Sequence, residues 1–483
     1  MLGDALGAIR HGADVHLVRV QADVGPGFPR FTIVGLPDSS VSEAKARVRS
    51  AFHHAGLPFP KGRITLNLQP ASLKKQGSWL DLAMAVAILR ASATPPIPRD
   101  ETVFVGELAL DGTIVPQQGL SAIGLRMRDE GLSSLCVSAD QSLPWPFDDM
   151  FQISRTSNLA DVAVMLRQNQ VRGVVSSSRS AKRVAEDRRA PLLCGHQVEQ
   201  RLLAICAAGR HSLLLVGSPG VGKTTLADSL SYLLPDLTEE HALEVAAWQE
   251  ITNPTYAFSL RPPVRRPHHS VSQRSLLGGG RFGMPGEATL AHHGVLLLDE
   301  MLEFSHAAIN ALREPMDTGV IECTVNGKLT RFPASFQLIA TANPCPCGYR
   351  GYGDCSCAEL DVRRYWMRCP GPILDRIDMV HHVNRQTNVG QRGDPLDTWA
   401  EKVRKARTLL QGGSSVLTND AKHLLWRTCE RLHASERDRA KVAALATTIA
   451  ALDGRQEVSS PDIEEAIAWR RPGSLSPSRN AAT

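Results

Sequence analysis

Apolar positions along the chain follow two rhythms. In residues 1–172, runs with strand-like alternation or continuous hydrophobicity ("DVHLVRVQADV", "RFTIVGL", "RITLNL", "TVFVGEL", "SSLCVS") are separated by helical patterns such as "SSVSEAKARVRSAFHHAG" and "WLDLAMAVAILRAS". This mixture predicts an α/β unit. Residues 173–190, "GVVSSSRSAKRVAEDRRA", are polar and charged and predict a linker. From 191 to 390 strands and helices alternate, which predicts a parallel sheet with helices on both faces. Residues 391–473 keep only the helical rhythm and predict an all-α unit, whose last helix opens on the capping signal "SSPD". Residues 474–483 have little to bury and predict a disordered tail.

Bulk properties narrow the class. A length of 483 residues points to about three domains, and 43% hydrophobic with 21% charged residues is the balance of a soluble globular protein. The longest apolar runs, "HSLLLVG" and "GVLLLDE", fall far short of the roughly 20 residues a membrane span needs. The beginning "MLGDALGAIRHGADVHLV" lacks the apolar stretch of a signal peptide. The expectation is a cytoplasmic protein without disulfides and with no membrane partner. A net charge of +5 gives only weak support for an anionic partner.

Chemistry enters at "LLLVGSPGVGKTTLADSL", an apolar strand, a glycine-rich loop and a helix start. Gly217, Ser218, Pro219, Gly220, Val221, Gly222, Lys223, Thr224 and Thr225 carry the full G-x-x-x-x-G-K-T spacing. In that pattern backbone N–H groups cradle the phosphates of ATP, Lys223 reaches the terminal phosphates and Thr224 ligates Mg²⁺. Farther on, "GVLLLDE" ends in Asp299 and Glu300 at the edge where ligands bind in open α/β sheets. Asp299 would hold the metal through water, and Glu300 would act as general base on the attacking water. A third strand, "FQLIATANP", ends in Asn343, either a strand-end cap or a group that orients the water.

Directly after it, "CPCGYRGYGDCSC" places Cys345, Cys347, Cys355 and Cys357 within thirteen positions. Four thiols close in sequence suit tetrahedral Zn²⁺, although C-x-C is tighter than the usual C-x2-C knuckle. A reduced metal-free loop and a redox pair are the alternatives. Asn326-Gly327, flanked by alternating residues, predicts a two-residue hairpin turn with Lys328 after its tip and Arg331 on the second arm. The segment "RPPVRRPHHSVSQR" clusters Arg265, Arg266 and Arg274. Such cations suit phosphate backbones without reading bases, while ordinary exposed charge on a solvated hairpin is the plainer alternative.

The motifs "RPHHSVSQRSLLGGGRFGMPGEATLAHHGVLLLDE", "LREPMDTG", "TANPCPCG" and "GPILDRID", in this order, resemble those of the magnesium-chelatase-like AAA+ ATPases of the YifB/ComM type. The resemblance covers nearly the whole chain. It implies a P-loop AAA+ core with a helix-2 insert at residues 191–390, a Lon-protease-like domain at 1–172 and a helical lid at 391–473. It also implies a hexameric ring that drives DNA, single-stranded or branched, as a helicase or branch-migration motor in natural transformation or recombination. Arg376 in "ILDRID" matches the arginine finger that completes a neighbouring subunit's site, with an ion pair to Asp375 or Asp378 as the structural alternative. Arg437 matches the sensor arginine of the lid; Glu436 and Asp438 beside it depart from the pattern, so Arg439 or Lys441 could substitute. The family's pre-sensor hairpin would point Lys328 and Arg331 into the ring's pore.

Two other functions fit parts of the chain. A magnesium-chelatase motor subunit would share the ATPase, but the Lon-like front segments and the "CPCG" stretch fit the YifB/ComM branch better. An ATP-dependent protease would need a Ser-Lys dyad. "LKKQGSWLDLAMAVAIL" and "VGELALDGTIVPQQGLSAIG" resemble the two Lon segments that carry it, yet the nucleophile position falls on Trp79 and the lysine position on Ser121. The expected role of residues 1–172 is therefore a non-catalytic scaffold.

Overall fold

The computed structural model describes residues 2–168, 197–384 and 395–470, apart from Gly12, Ala13, Gln76, Arg99, Trp145, Pro254, Arg281, Phe282, Asn326, Gly327 and Ser414. The expected linker and tail lie outside the described residues. The chain divides into two compact units, Met1–Ala185 with Glu239–Ser259, and Glu186–Thr238 with Leu260–Thr483. The stretch 239–259 falls inside the span 191–390 that the sequence assigns to the ATPase core. It joins the first unit because Leu243 and Ala247 of its helix bury themselves among Val103, Val105, Leu120, Ile123 and Met127. The second unit closes behind it through a bond from Leu237 N–H to the carbonyl of Leu260 (2.6 Å).

The first unit is built on a seven-stranded mixed sheet in the spatial order Arg30–Val34, Arg63–Gln69, Asp14–Gly25, Leu2–His11, Val103–Phe104, Ser134–Ser138 and Gln152–Thr156. Leu2–His11 and Asp14–Gly25 pair antiparallel, and the strands beyond Leu2–His11 run parallel. Against this sheet lies the helix Asp81–Ser92, buried at every position from Asp81 to Ala91. Its close approach depends on two glycines, Gly3 and Gly7, that share the helix-facing side of the first strand. A Cβ on Gly3 would sit 2.4 Å from the carbonyl oxygen of Ala87, and one on Gly7 would sit 2.8 Å from Leu80 Cδ2. The helix brings one acid inside, Asp81, which is held by Arg47 Nε at 2.6 Å.

The second unit contains a five-stranded parallel sheet in the order Val264–Arg265, Val295–Leu298, Gln337–Ala342, Leu213–Val216 and Met379–His382. Leu213–Val216, Val295–Leu298 and Gln337–Ala342 are buried at every residue, as continuous apolar runs between two helical layers must be. Parallel strands end on one edge, so Gly217, Asp299 and Asn343, each the residue after its strand, emerge together.

Four helices, Leu396–Gln411, Asn419–Arg431, Glu436–Leu452 and Ser460–Arg470, complete this unit. Trp399, Val403, Leu445 and Ile449 share one core with Leu203, Leu213, Leu226 and Met379. The segment is not purely helical as expected. Val416–Leu417 and Glu457–Val458 form a short parallel ladder, because two interhelical connections run alongside one another with apolar residues to bury. The hairpin is present as Val320–Val325 paired with Lys328–Pro333, and the register Val325↔Lys328 leaves two residues for the turn. Those two, Asn326 and Gly327, lie outside the described residues.

Gly3→Ala is expected to destabilise the first unit by about 2 kcal/mol or more, because the added methyl meets helix backbone that cannot yield. Chemical denaturation should show the loss, and a Gly25→Ala control, where a Cβ meets nothing within 4 Å, should show little.

Candidate nucleotide site and cysteine knuckle

The loop after Leu213–Val216 turns into the helix Lys223–Leu233 through Gly220 (φ 79°) and Gly222 (φ 90°), left-handed positions that favour glycine. Lys223 is buried under the loop. Its Nζ donates to the carbonyls of Gly217 (2.7 Å) and Ser218 (2.9 Å) and to Asn343 Oδ1 (3.0 Å). Burial lowers the ammonium pKa while Asp299 and Glu300 pull it back up. Asn343 therefore does more than cap a strand: its amide oxygen faces the P-loop lysine.

Thr224 Oγ1 lies 3.2 Å from Asp299 Oδ1, and Thr341 Oγ1 donates to the same oxygen at 2.7 Å. Burial would raise the Asp299 pKa, but the bonds from Thr341 and Arg266 outweigh it and hold the carboxyl below its usual range. Glu300 is exposed and adopts φ 54°, unusual for a residue with a Cβ, and its N–H donates to Thr341 Oγ1 (2.9 Å). A hydroxyl and an ionised carboxylate at this separation, beside a helix N-terminus and a buried ammonium, fit Mg²⁺ and nucleotide phosphates. Thr341 was not singled out from sequence. Its signal was a hydroxyl inside an otherwise apolar strand, two residues before Asn343.

The arginines expected on nucleic acid are placed differently. Arg265 makes a two-pronged pair with Glu287 (2.7 and 2.9 Å). Arg266 follows the edge strand Val264–Arg265, which pairs with the Asp299 strand, and so arrives at the nucleotide edge. Its Nη2 lies 2.9 Å from Asp299 Oδ2 and its Nη1 3.3 Å from Asp228 Oδ1, one helical turn beyond Thr224. Arg274 is exposed on the short helix Gln273–Leu277. Arg331 pairs across the hairpin with Glu322 (2.8 Å) and stays 72% exposed.

Arg376 and Arg437 converge on one carboxylate. Each donates to a different oxygen of Asp317, and Arg376 also donates to the carbonyl of Pro372 (2.7 Å). The partner is Asp317 rather than Asp375 or Asp378, because Asp378 is taken by Lys441 (2.7 Å) and by the N–H of Ser212 (2.8 Å). Arg376 is buried, Arg437 half-exposed, and both line a cavity of about 180 Å³ with Arg210, Asp378 and Lys441. Arg439 pairs with Glu436 (2.7 Å).

The four cysteines converge. Cys345 Sγ is 3.3 Å from Cys347 Sγ and 3.7 Å from Cys355 Sγ, Cys347 and Cys355 are 3.6 Å apart, and all four sulfurs lie within 4.8 Å of one another. The N–H of Cys347 donates to Cys357 Sγ and that of Arg350 to Cys345 Sγ, both at 3.4 Å. The seven-residue connection between the two C-x-C pairs turns back through left-handed positions at Gly348 (φ 85°) and Gly351 (φ 78°).

Models of known families match three stretches: "Magnesium chelatase, subunit ChlI" over residues 191–390, "Subunit ChlI of Mg-chelatase" over 20–141, and "Magnesium chelatase, subunit ChlI C-terminal" over 398–470. "Competence protein ComM" of Haemophilus influenzae is 34% identical, with 95% of each chain covered. "Uncharacterized protein YifB" of Escherichia coli is 36% identical over 76% of this chain and 73% of its own. The chain belongs to the YifB/ComM-type magnesium-chelatase-like proteins. A fragment of 136 residues is also 28% identical to "Lon protease 1" of Sorangium cellulosum, covering 27% of this chain and 16% of that one.

In this YifB/ComM-type chain Trp79 and Ser121, the positions that the sequence matches to a Lon dyad, have other partners. Ser121 is fully buried, and its Oγ donates to Glu250 Oε1 (2.6 Å) while its N–H reaches Oε2 (3.2 Å). The Arg10 guanidinium lies over the Trp79 ring, 5.7 Å from its centroid. Ser78 Oγ donates to Glu107, and the buried Lys75 gives its ammonium to the carbonyl of Pro70. Among the described residues neither serine has a lysine as hydrogen-bond partner. No described helix is long and apolar enough to cross a membrane.

Two outcomes follow from this geometry. Arg266 and a divalent cation draw on the same Asp299 carboxylate. Arg266→Gln is therefore expected to lower the Mg²⁺ concentration that half-saturates nucleotide binding by about threefold, the size of a half-exposed ion pair. A fluorescent ATP analogue titrated at fixed nucleotide over a Mg²⁺ series reads this directly. For Asp378, burial raises the pKa, but Lys441 and His211 more than reverse it and hold the folded value below the ordinary one. Its stabilising contribution is full above the unfolded pKa of about 3.9 and is lost as pH falls through the folded value. Asp378→Asn should cost about 3 kcal/mol at neutral pH, leaving Lys441 with the carbonyl of Arg376 but no counter-ion, with the gap to wild type narrowing below about pH 4.

Proposed function

We propose that this protein is a cytoplasmic ATP-driven DNA motor that works as a homo-hexameric ring, as a helicase or branch-migration translocase in natural transformation or recombination. The observation that carries the ATPase part is the common sheet edge on which Lys223, Thr224, Asp299, Glu300 and Asn343 meet. The DNA part is supported by the ComM relative, a competence protein by name, 34% identical over 95% of both chains. It is supported too by the hairpin that precedes the Asn343 strand with exposed Arg331 on its second arm.

In this reading Lys223 and the loop N–H groups hold the phosphates, and Thr224 and Asp299 hold Mg²⁺. The metal, when bound, neutralises charge on the phosphate oxygens. Glu300, exposed beyond the strand, takes the proton of the attacking water, and Asn343 orients that water. Arg376 acts as the finger that completes the next subunit's site, where a cation stabilises the charge of the transferred phosphoryl group, and Arg437, which shares Asp317 with it, acts as the sensor arginine of the lid. Lys328, Arg331 and Arg274 track the DNA backbone. Cys345, Cys347, Cys355 and Cys357 would hold Zn²⁺, whose tetrahedral thiolate coordination their convergent sulfurs suit.

A second reading has an observation of its own, because the matching models are those of the magnesium-chelatase ATPase subunit. Its ATP hydrolysis would respond to partner subunits and a porphyrin rather than to DNA. The protease reading is disfavoured by the Ser121–Glu250 bond at the lysine position.

The decisive measurement is ATP hydrolysis by the full chain with and without single-stranded or forked DNA at low salt. The expected result is DNA stimulation that Glu300→Gln abolishes while nucleotide binding persists, and that Arg331→Ala weakens without changing the basal rate. No DNA binding by the nucleotide-loaded protein would end the motor reading, and stimulation by chelatase partners would favour the second.

A further inference from the structure

The cysteine knuckle stands against the nucleotide loop. Gly348, between the second and third cysteines, faces Pro219 so closely that a Cβ would lie 2.6 Å from Pro219 Cδ and 2.9 Å from its Cγ. Tyr352 reaches back and donates from its hydroxyl to the carbonyl of Val216, the last residue of the P-loop strand (3.4 Å). At its other end the knuckle begins two residues beyond Asn343, whose amide accepts from Lys223 (3.0 Å). Between them, the carbonyl of Pro344 is pinned by Trp366 Nε1 (3.1 Å). The knuckle therefore touches the phosphate loop from outside while its own chain carries the group that holds the loop's lysine from inside.

We propose that a Zn²⁺ ion bound by Cys345, Cys347, Cys355 and Cys357 is a positioning element of the nucleotide site, fixing Pro219 and Asn343 so that the loss of the metal weakens nucleotide binding. The inference rests on the nucleotide-site reading above. Sulfur separations of 3.3, 3.7 and 3.6 Å approach the edge of about 3.8 Å that a tetrahedron with Zn–S of about 2.3 Å requires. The two N–H···S bonds from Cys347 and Arg350 supply the outer donors that orient thiolate ligands. Without a shared cation, only weak contacts among the sulfurs and the two N–H···S bonds hold the four side chains together. The segment would then rely on backbone that includes Gly348, Gly351 and Gly353, too free to hold a proline ring in place. A glycine at 348 is required twice over, by its left-handed φ and by the contact with Pro219.

The test uses the full chain and two independent readouts. Elemental analysis should give about one zinc per chain, and Co²⁺ exchanged into the site should show the intense visible bands of a tetrahedral thiolate complex. Removing zinc with a chelator that leaves Mg²⁺ alone should weaken binding of a fluorescent ATP analogue by about tenfold, the effect of a small misplacement of a binding loop. Zinc added back should restore it. Gly348→Ala keeps all four thiols, so it should retain zinc and the Co²⁺ spectrum yet bind nucleotide as weakly as the stripped protein. This variant decides the matter even if stripped protein unfolds. Wild-type protein without zinc overturns the metal site. Zinc present, with nucleotide affinity indifferent both to stripping and to Gly348→Ala, overturns the coupling alone. Failure of wild type to bind nucleotide under any metal condition overturns the nucleotide reading and the inference with it.

Discussion

The buried ammonium of Lys223 is the tie on which the candidate site depends. It draws in the carbonyls of Gly217 and Ser218, at the start of the loop, and the amide oxygen of Asn343, at the end of a different strand. A charged group that is mostly withdrawn from water needs such partners, since an unpaired buried charge costs far more than its bonds return. The parallel sheet makes the meeting possible. Leu213–Val216 and Gln337–Ala342 are direct neighbours, with Val216 opposite Ala342, so the residues just past them must sit side by side. The Asp299 strand lies one place farther on, with Leu298 opposite Ala340. Thr341 joins the two levels by donating to Asp299 and accepting from the N–H of Glu300. Placement of the candidate site's groups is thus inherited from strand register, not from the loops alone.

Much of this was legible in the sequence because the signals are local. The apolar strand, glycine loop and helix start of the P-loop are contiguous, as are "VLLLDE" and "LIATAN", and each predicted strand ends where its polar residue begins. The hairpin strands follow from alternation around Asn326-Gly327. What sequence could not supply were pairings between segments far apart. Arg266 looked like one member of an arginine cluster, but two residues of edge strand deliver it to Asp299. Arg376 had two acids as near neighbours in sequence, yet Lys441 neutralises one of them and Asp317, fifty-nine positions away, receives the guanidinium. Residues 239–259 read as part of the ATPase core because helical periodicity says which face is apolar and not what covers it.

The first unit shows the same logic at Trp79 and Ser121, the two positions that the sequence matches to a Ser-Lys pair. A Ser-Lys pair needs a lysine that can lose its proton beside the hydroxyl it activates. At the corresponding positions this chain has an indole under a guanidinium and a serine whose hydroxyl is committed to Glu250. Burial raises the pKa of Glu250, with the bonds from Ser121 and the charge of Arg10 opposing that shift. Those groups stabilise a buried carboxylate, and the partner of the serine hydroxyl is that carboxylate rather than a lysine. The helix that brings Glu250 also brings Leu243 and Ala247 into the apolar cluster, so packing and polar pairing agree about where it docks.

The nucleotide site is therefore surrounded by constraints of different physical kinds. Lys223 and Asn343 fix the loop from within by charge-assisted hydrogen bonds, which strengthen as water is excluded. Thr341 and Arg266 hold the Asp299 carboxylate ionised, each by a directed donor. Pro219 is fixed from outside by contact with Gly348, which has no polar component and cannot be screened by salt. A proline in the loop gives up an N–H that might have held phosphate, but it offers a rigid ring against which a second structure can bear. That is the physical sense of a cysteine knuckle beside a phosphate loop: the loop's glycines provide the conformation, and something stiffer than glycine has to hold it.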